Sequence, residues 1–192
     1  MRKENYIQKL NCKDEQLCRI LKASHHMSQS QVESIISKNR IRAYQHQGVL
    51  KKIHYIAQGR QHTAYELTTA GRNFIRKHYP EMGSYFYSSA TAVRHNIRLA
   101  EQVMQHEHWL NERELRQELM TRIERIQDDD ERFEQLRRLE SGEYSVPDGG
   151  YIDDDGSVVC IEITNENYTQ EILETKEACS AALGASIRFI RQ

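Results

Sequence analysis

The chain has 192 residues, with 27 Lys and Arg against 28 Asp and Glu, 38% hydrophobic and 29% charged residues, two prolines and nine glycines. This composition excludes collagen-like, Pro/Gly-rich disordered and disulfide-scaffold classes and suits one large or two small globular domains. No apolar run approaches the roughly 18–20 residues of a membrane span, and residues 1–5 lack the apolar core of a signal peptide, so a cytoplasmic protein with no membrane attachment is expected.

Four scattered cysteines, Cys12, Cys18, Cys160 and Cys179, are expected to stay thiols in a reducing compartment. The net charge of −1 conceals a division: residues 1–86 hold 15 Lys and Arg against 6 Asp and Glu, whereas residues 87–192 hold 12 against 22. A basic half attracts polyanions and an acidic half does not, which makes the N-terminal half the candidate nucleic-acid reader.

Over residues 11–23, Leu17, Ile20 and Leu21 recur at helical spacing, with Asn11 and Asp14 placed to satisfy the first-turn amides. Ser28 and Gln31 form the capping box of a second helix through Ile35 and Ile36, with Met27 and Val32 at hydrophobic-staple positions. Ser37 caps a third, running roughly to Gln47 and ended by Gly48. Around its Ile41 and Tyr44 anchor lie Lys38, Asn39, Arg40, Arg42, Gln45 and His46, and two tandem helices of which the second is polar and basic match a helix-turn-helix.

Residues 52–56 and 63–67 are β-branched and aromatic, with a turn at Gln58-Gly59-Arg60-Gln61, so a hairpin, or wing, is expected to follow the recognition helix. Lys51, Lys52 and Arg60 would reach phosphates from it, with His62 near the tip. Asn39, Arg40, Arg42 and Gln45 are the expected base readers, supported by Lys38 and His46. Thr68 caps a further helix to His78 that carries Phe74 and Ile75 inward and is stopped by Pro80. The string Tyr65-Glu66-Leu67-Thr68-Thr69-Ala70-Gly71 resembles the Tyr-x-Leu-Thr-x-x-Gly signature that closes the wing in many bacterial winged-helix proteins.

Residues 81–88 have the turn residues of a linker between a domain at 1–80 and a second at 89–192. A long helix places Val93, Ile97, Ala100 and Met104 on one face. After Trp109-Leu110, residues 111–142 read as a helical insertion, with Leu115, Leu119, Ile123 and Ile126 in one stretch and Phe133, Leu136 and Leu139 in another. Its charge alternation suits a solvated helical hairpin, a partner-binding insertion or a dimerisation helix. From residue 143 the period changes: strands over 143–152 and 157–164 flank an Asp-rich turn, a helix over 168–183 has Ile172, Leu173, Ala178 and Ala182 as inward positions, and residues 186–190 form a last strand. That order supports a mixed sheet.

Pro147-Asp148 on one strand and Glu162-Ile163-Thr164 on the next resemble the Pro-Asp…(Asp/Glu)-x-Lys pattern of the restriction-endonuclease-like superfamily. There, two carboxylates on adjacent strands bind a divalent metal and a lysine helps activate water. Thr164 stands where the lysine belongs, and Lys176 on the following helix is the candidate substitute. Three readings stay open: an inert fold retained for binding or dimerisation, with no cofactor; a Mg²⁺-dependent nuclease using Asp148, Glu162 and Lys176; or a coincidental match of short motifs.

Cys12, Cys18, His25 and His26 lie close in sequence, but their spacing follows no paired-cysteine zinc pattern. His95 reads as fixing its helix by a hydrogen bond or as part of a motif, and His106 and His108, flanking a helix end, as capping or surface groups. No Gly-rich phosphate loop is present.

Taken in order, Arg94-His95-Asn96, Trp109-Leu110-Asn111-Glu112-Arg113-Glu114-Leu115-Arg116, Pro147-Asp148-Gly149 and Ile161-Glu162-Ile163 resemble the motifs of the replication-relaxation family of mobile-element proteins. The resemblance implies an α+β protein with an N-terminal winged helix-turn-helix domain, a helical segment and a small restriction-endonuclease-like α/β domain. It also implies double-stranded DNA as partner on a plasmid, conjugative element or phage, in replication, relaxase processing or transcriptional control. A relaxase, a replication initiator or a second copy of the chain is the further expected partner.

Overall fold

The computed structural model describes residue 7, residues 9–88 and residues 92–192; residues 1–5, read above for a leader, lie outside these. The fold is mixed α+β, with eight α-helices and two sheets among the described residues. The chain divides into two units at Gln105/His106, not at 88/89 as the linker composition suggests.

In the first unit, α1 (Cys12–Ser24) starts where Asn11 accepts the Lys13 and Asp14 amides and Asp14 accepts that of Asn11. β1 (His26–Ser28) follows, a strand the sequence does not signal, and then α2 (Gln29–Ile35) opens on the expected Ser28/Gln31 capping box. α3 (Lys38–His46) begins at Ser37, whose hydroxyl accepts the Arg40 amide, and Gly48 takes the left-handed conformation just beyond its end.

β2 (Leu50–Ala57) and β3 (Arg60–Leu67) form an antiparallel hairpin whose loop is only Gln58-Gly59. Both loop residues have positive φ, 50° and 70°, as the tight turn that follows strand twist requires. Arg60 and Gln61, expected in the turn, therefore belong to the strand. β1 adds to β3, giving the order β1-β3-β2. α4 (Thr69–His78) is capped by Thr68 and is followed by a 3-10 turn at Pro80–Met82.

α5 (Val93–Gln105) completes the unit by packing on α1 and β1. Its buried face is Asn96, Leu99, Ala100 and Val103, rotated from the expected stripe of Val93, Ile97, Ala100 and Met104. A polar residue leads that face because Asn96 meets His26, a long-range contact that periodicity does not register. Around it, Leu17, Ile20, Leu21, Met27, Val32, Ile41, Tyr44 and Ile75 are buried. Each such apolar side chain contributes about 1.5–3 kcal/mol relative to exposure.

The second unit is a four-stranded sheet ordered β4-β5-β6-β7, where β4 is Trp109–Asn111, β5 Gly149–Ile152, β6 Val158–Thr164 and β7 Ser186–Arg191. The first three pair antiparallel; β7 is parallel to β6 and reached through α8 (Gln170–Ala182), so the sheet is mixed. Residues 143–148, expected as strand, are irregular and only Gly149 starts the ladder.

Between β4 and β5 run α6 (Glu112–Glu124) and α7 (Asp129–Ser141), opened by Asn111 and Asp128. The segment is no appendage, since Leu115, Leu119, Ile123 and Leu139 form much of this unit's core with Cys160, Cys179 and Leu183. Phe133 is 71% exposed, and Ile172 on α8, expected inward, is exposed too; Cys179 and Ser180 are the buried positions of that helix, with Leu183 buried just past its end. No helix among the described residues is long and apolar enough to cross a membrane.

Candidate functional site

The structure places the sequence-derived residues in two groups, one in each unit. In the first unit, burial of Ile41 and Tyr44 turns the opposite face of α3 outward. Lys38, Asn39, Arg42 and His46 are exposed there and Gln45 is half-buried. Lys38 Nζ lies 3.6 Å from Glu33, an exposed pair of small worth.

Arg40 departs from this set. Its guanidinium forms an ion pair with Asp14, which is fully buried, and donates to Lys9 O at 2.7 Å. Tyr44 Oη also donates to Asp14, at 2.9 Å. A carboxylate buried this deeply needs a charge partner, so Arg40 ties α3 to α1 and is no base reader. The residue missed was Asp14, taken in the sequence only as a cap; it does both jobs.

Along β2, Lys52, His54 and Ile56 share one exposed face, and Arg60 is exposed beside the loop. Lys51 points to the other face, where its Nζ lies 3.1 Å from Glu66, the residue paired with it in register. Of the cations expected to meet DNA, Lys38, Arg42, Lys52 and Arg60 are therefore exposed on these faces, while Lys51, also exposed, lies on the face of β2 that carries Glu66. His95, half-buried, stacks on Tyr87 with ring centroids 6.3 Å apart.

In the second unit, Asp148, Glu162 and Lys176 converge from three segments. Asp148 immediately precedes β5, and its N–H donates to Glu162 Oε2 at 3.0 Å. The Ile163 N–H returns a hydrogen bond to Asp148 Oδ2 at 2.9 Å. Lys176 Nζ reaches Glu162 Oε1 at 3.0 Å and donates to Val146 O at 2.8 Å. The hydroxyl of Tyr168, a residue the sequence reading passed over, donates to the same Glu162 oxygen at 2.6 Å. An apolar strand had marked Glu162 as needing partners; nothing local marks Tyr168.

Glu162 is 1% exposed. Burial first, and then the neighbouring Asp148 charge, raise its pKa, while Lys176 and Tyr168 pull it down. Two carboxylates held together against desolvation and mutual repulsion form a site that favours positive charge. Lys176 supplies it from α8, in place of the uncharged Thr164.

Close approach of backbone explains the glycines after Asp148. A Cβ on Gly149 would sit 2.3 Å from the Trp109 ring, and one on Gly150 2.8 Å from Val159 O. No family model, no curated protein and no solved structure matches this chain.

Proposed function

We propose that this chain binds double-stranded DNA as an accessory or regulatory protein of a plasmid, conjugative element or phage. On this reading the first unit acts as a winged helix that sets α3 in the major groove, and the second is a restriction-endonuclease-like domain. The observation that carries it is the outward face of α3, with Lys38, Asn39, Arg42 and His46 exposed and Lys52 and Arg60 displayed on the adjoining hairpin. Cations on such a surface displace counterions from phosphates, and Asn39, Arg42 and Gln45 have the donors that read base edges. Selection of bound fragments from random DNA at two salt concentrations tests the role. A consensus that survives high salt supports a regulator or origin binder, and recovery of no DNA at either concentration refutes the reading.

A second reading, a Mg²⁺-dependent nuclease, is favoured by one observation: Lys176 Nζ lies 3.0 Å from Glu162, beside Asp148. The donor set suits the ion, since Asp148 and Glu162 offer the hard oxygens that Mg²⁺ takes. When bound, the ion would supply a water of lowered pKa. Lys176 would hold a positive charge at Glu162, and Tyr168 would orient that carboxylate. Nicking of supercoiled plasmid with Mg²⁺, abolished by Asp148→Ala, would establish catalysis; binding without nicking leaves the domain as a binding module. Partners beyond DNA, including a relaxase, an initiator or a second copy, belong to the same proposal.

A further inference from the structure

Where α1, β1 and β3 meet, His25, His26 and Glu66 bring one ligand atom each to within 4.8 Å of one another. His25 follows the last residue of α1, and His26 and Glu66 are directly paired across β1 and β3. The two imidazoles stand nearly perpendicular, at 78°, with centroids 4.4 Å apart. His26 Nε2 lies 3.2 Å and His25 Nε2 3.6 Å from the same carboxylate oxygen, Glu66 Oε2. Those separations are close to the ~3.3 Å edge of a tetrahedron with metal–ligand bonds of about 2.0–2.1 Å.

At His25 the hydrogen bonding points the same way. His25 Nδ1 sits 3.1 Å from the Tyr87 carbonyl, which can only accept, so Nδ1 carries the proton. In the neutral ring Nε2 then presents a lone pair to the carboxylate, acceptor against acceptor, in a place where His25 and His26 are 6% and 1% exposed. His26 Nδ1 meets the Asn96 amide at 2.9 Å, and His95 Nδ1 meets the same amide at 3.2 Å. The Asn96 NH₂ faces His26 and its oxygen faces His95, so without an ion His26 Nδ1 accepts and Nε2–H donates to Glu66 Oε2 at 3.2 Å. An ion would displace that Nε2 proton, and the same amide, turned over, would hold the proton on Nδ1 with its oxygen.

His25 also holds φ at 67°, a left-handed conformation that costs a non-glycine residue energy and that recurs where the surroundings over-determine a functional geometry. We propose that His25 Nε2, His26 Nε2 and Glu66 Oε2 bind a divalent transition-metal ion of zinc type, water filling the fourth position. The ion ties the end of α1 to the strand pair that carries the exposed hairpin. Its ligands are unrelated to Asp148 and Glu162 and do not depend on what the protein binds.

The test is a titration of the chelator-treated full chain with Co²⁺, followed by visible absorption, and with Zn²⁺, followed by calorimetry. One ion per chain, with the intense d–d bands of a four-coordinate nitrogen and oxygen site, is expected. Glu66→Gln, which preserves shape, and His26→Gln should each weaken binding by about 100-fold or more, beyond the about 10–100-fold typical of outer-shell changes. Circular dichroism establishes that the variants are folded. Absence of uptake by the wild type overturns the proposal. So does a sulfur-to-metal charge-transfer band, which would place the ion on a cysteine, or equal uptake by a folded Glu66→Gln protein.

Discussion

Asp148 and Glu162 brace one another through the backbone: the Asp148 N–H donates to Glu162 at 3.0 Å, and the Ile163 N–H, beside Glu162, donates to Asp148 at 2.9 Å. The brace keeps two carboxylates together at a place where one of them is almost wholly buried. An arrangement of that kind opposes folding stability unless a cation joins it.

The pH dependence of stability follows from this. Burial and the Asp148 charge raise the Glu162 pKa. A carboxylate whose pKa is raised on folding contributes stability below the ordinary carboxylate range, and that contribution is lost as pH rises through the folded value. Glu162→Gln cannot ionise, so its stability relative to wild type should grow as pH rises from about 4 to about 8. Thermal melts across that range check this; a variant whose relative stability falls with pH would contradict it.

Arg40 and Arg42 separate stability from binding. Arg40→Ala leaves Asp14 buried without its charge partner, which is expected to cost about 3–5 kcal/mol. Arg42 is exposed, and Arg42→Ala should stay within about 0.5 kcal/mol of wild type while weakening DNA binding. Urea unfolding of both variants distinguishes them, and a stable Arg40→Ala protein would remove the structural role given to that ion pair.

Much of the first unit was legible because its signals are local. Asn11, Ser28, Ser37 and Thr68 all cap helices as their side-chain chemistry predicts, and Gln58-Gly59 makes the turn. What escaped depends on contacts distant in sequence. β1 exists because β3 offers it an edge, Asn96 is buried because His26 waits for it, and Arg40 is turned inward by Asp14, 26 residues earlier. The same limit applies to the sites. Asp148, Glu162 and Lys176 could be named from pattern and resemblance, but Tyr168 and the joining of His25 and His26 to Glu66 depend on packing.

Trp109 and Gly149 offer a third check. The indole lies where a Cβ on Gly149 would stand, 2.3 Å from the nearest ring carbon. Gly149→Ala should cost about 1–3 kcal/mol through overpacking. Trp109 is the single tryptophan, so its emission reports the displacement directly. Unchanged emission together with unchanged stability would contradict the close approach.

Thiol reactivity provides a fourth. Burial, ahead of nearby carboxylates, pushes the Cys18 thiol up to about 12, and burial likewise raises Cys179 to about 12. Cys160 is buried and raised as well, whereas Cys12 is exposed. Since the thiolate is the reactive form, iodoacetamide at neutral pH should modify Cys12 alone in the folded chain. Peptide mapping that finds Cys18 or Cys179 labelled at a comparable rate would contradict the packing described.

The central claim is that the outward face of α3 and its hairpin engages duplex DNA. Fluorescence anisotropy with a labelled duplex from the selected pool, at about 50 mM and about 200 mM salt, tests it directly for the wild type and for Arg42→Ala/Arg60→Ala. The account predicts wild-type binding that weakens steeply with salt, and a folded double variant that binds more weakly with a salt slope shallower by about one phosphate contact, that of Arg60. Equal affinity and equal salt slope for the two proteins would contradict it.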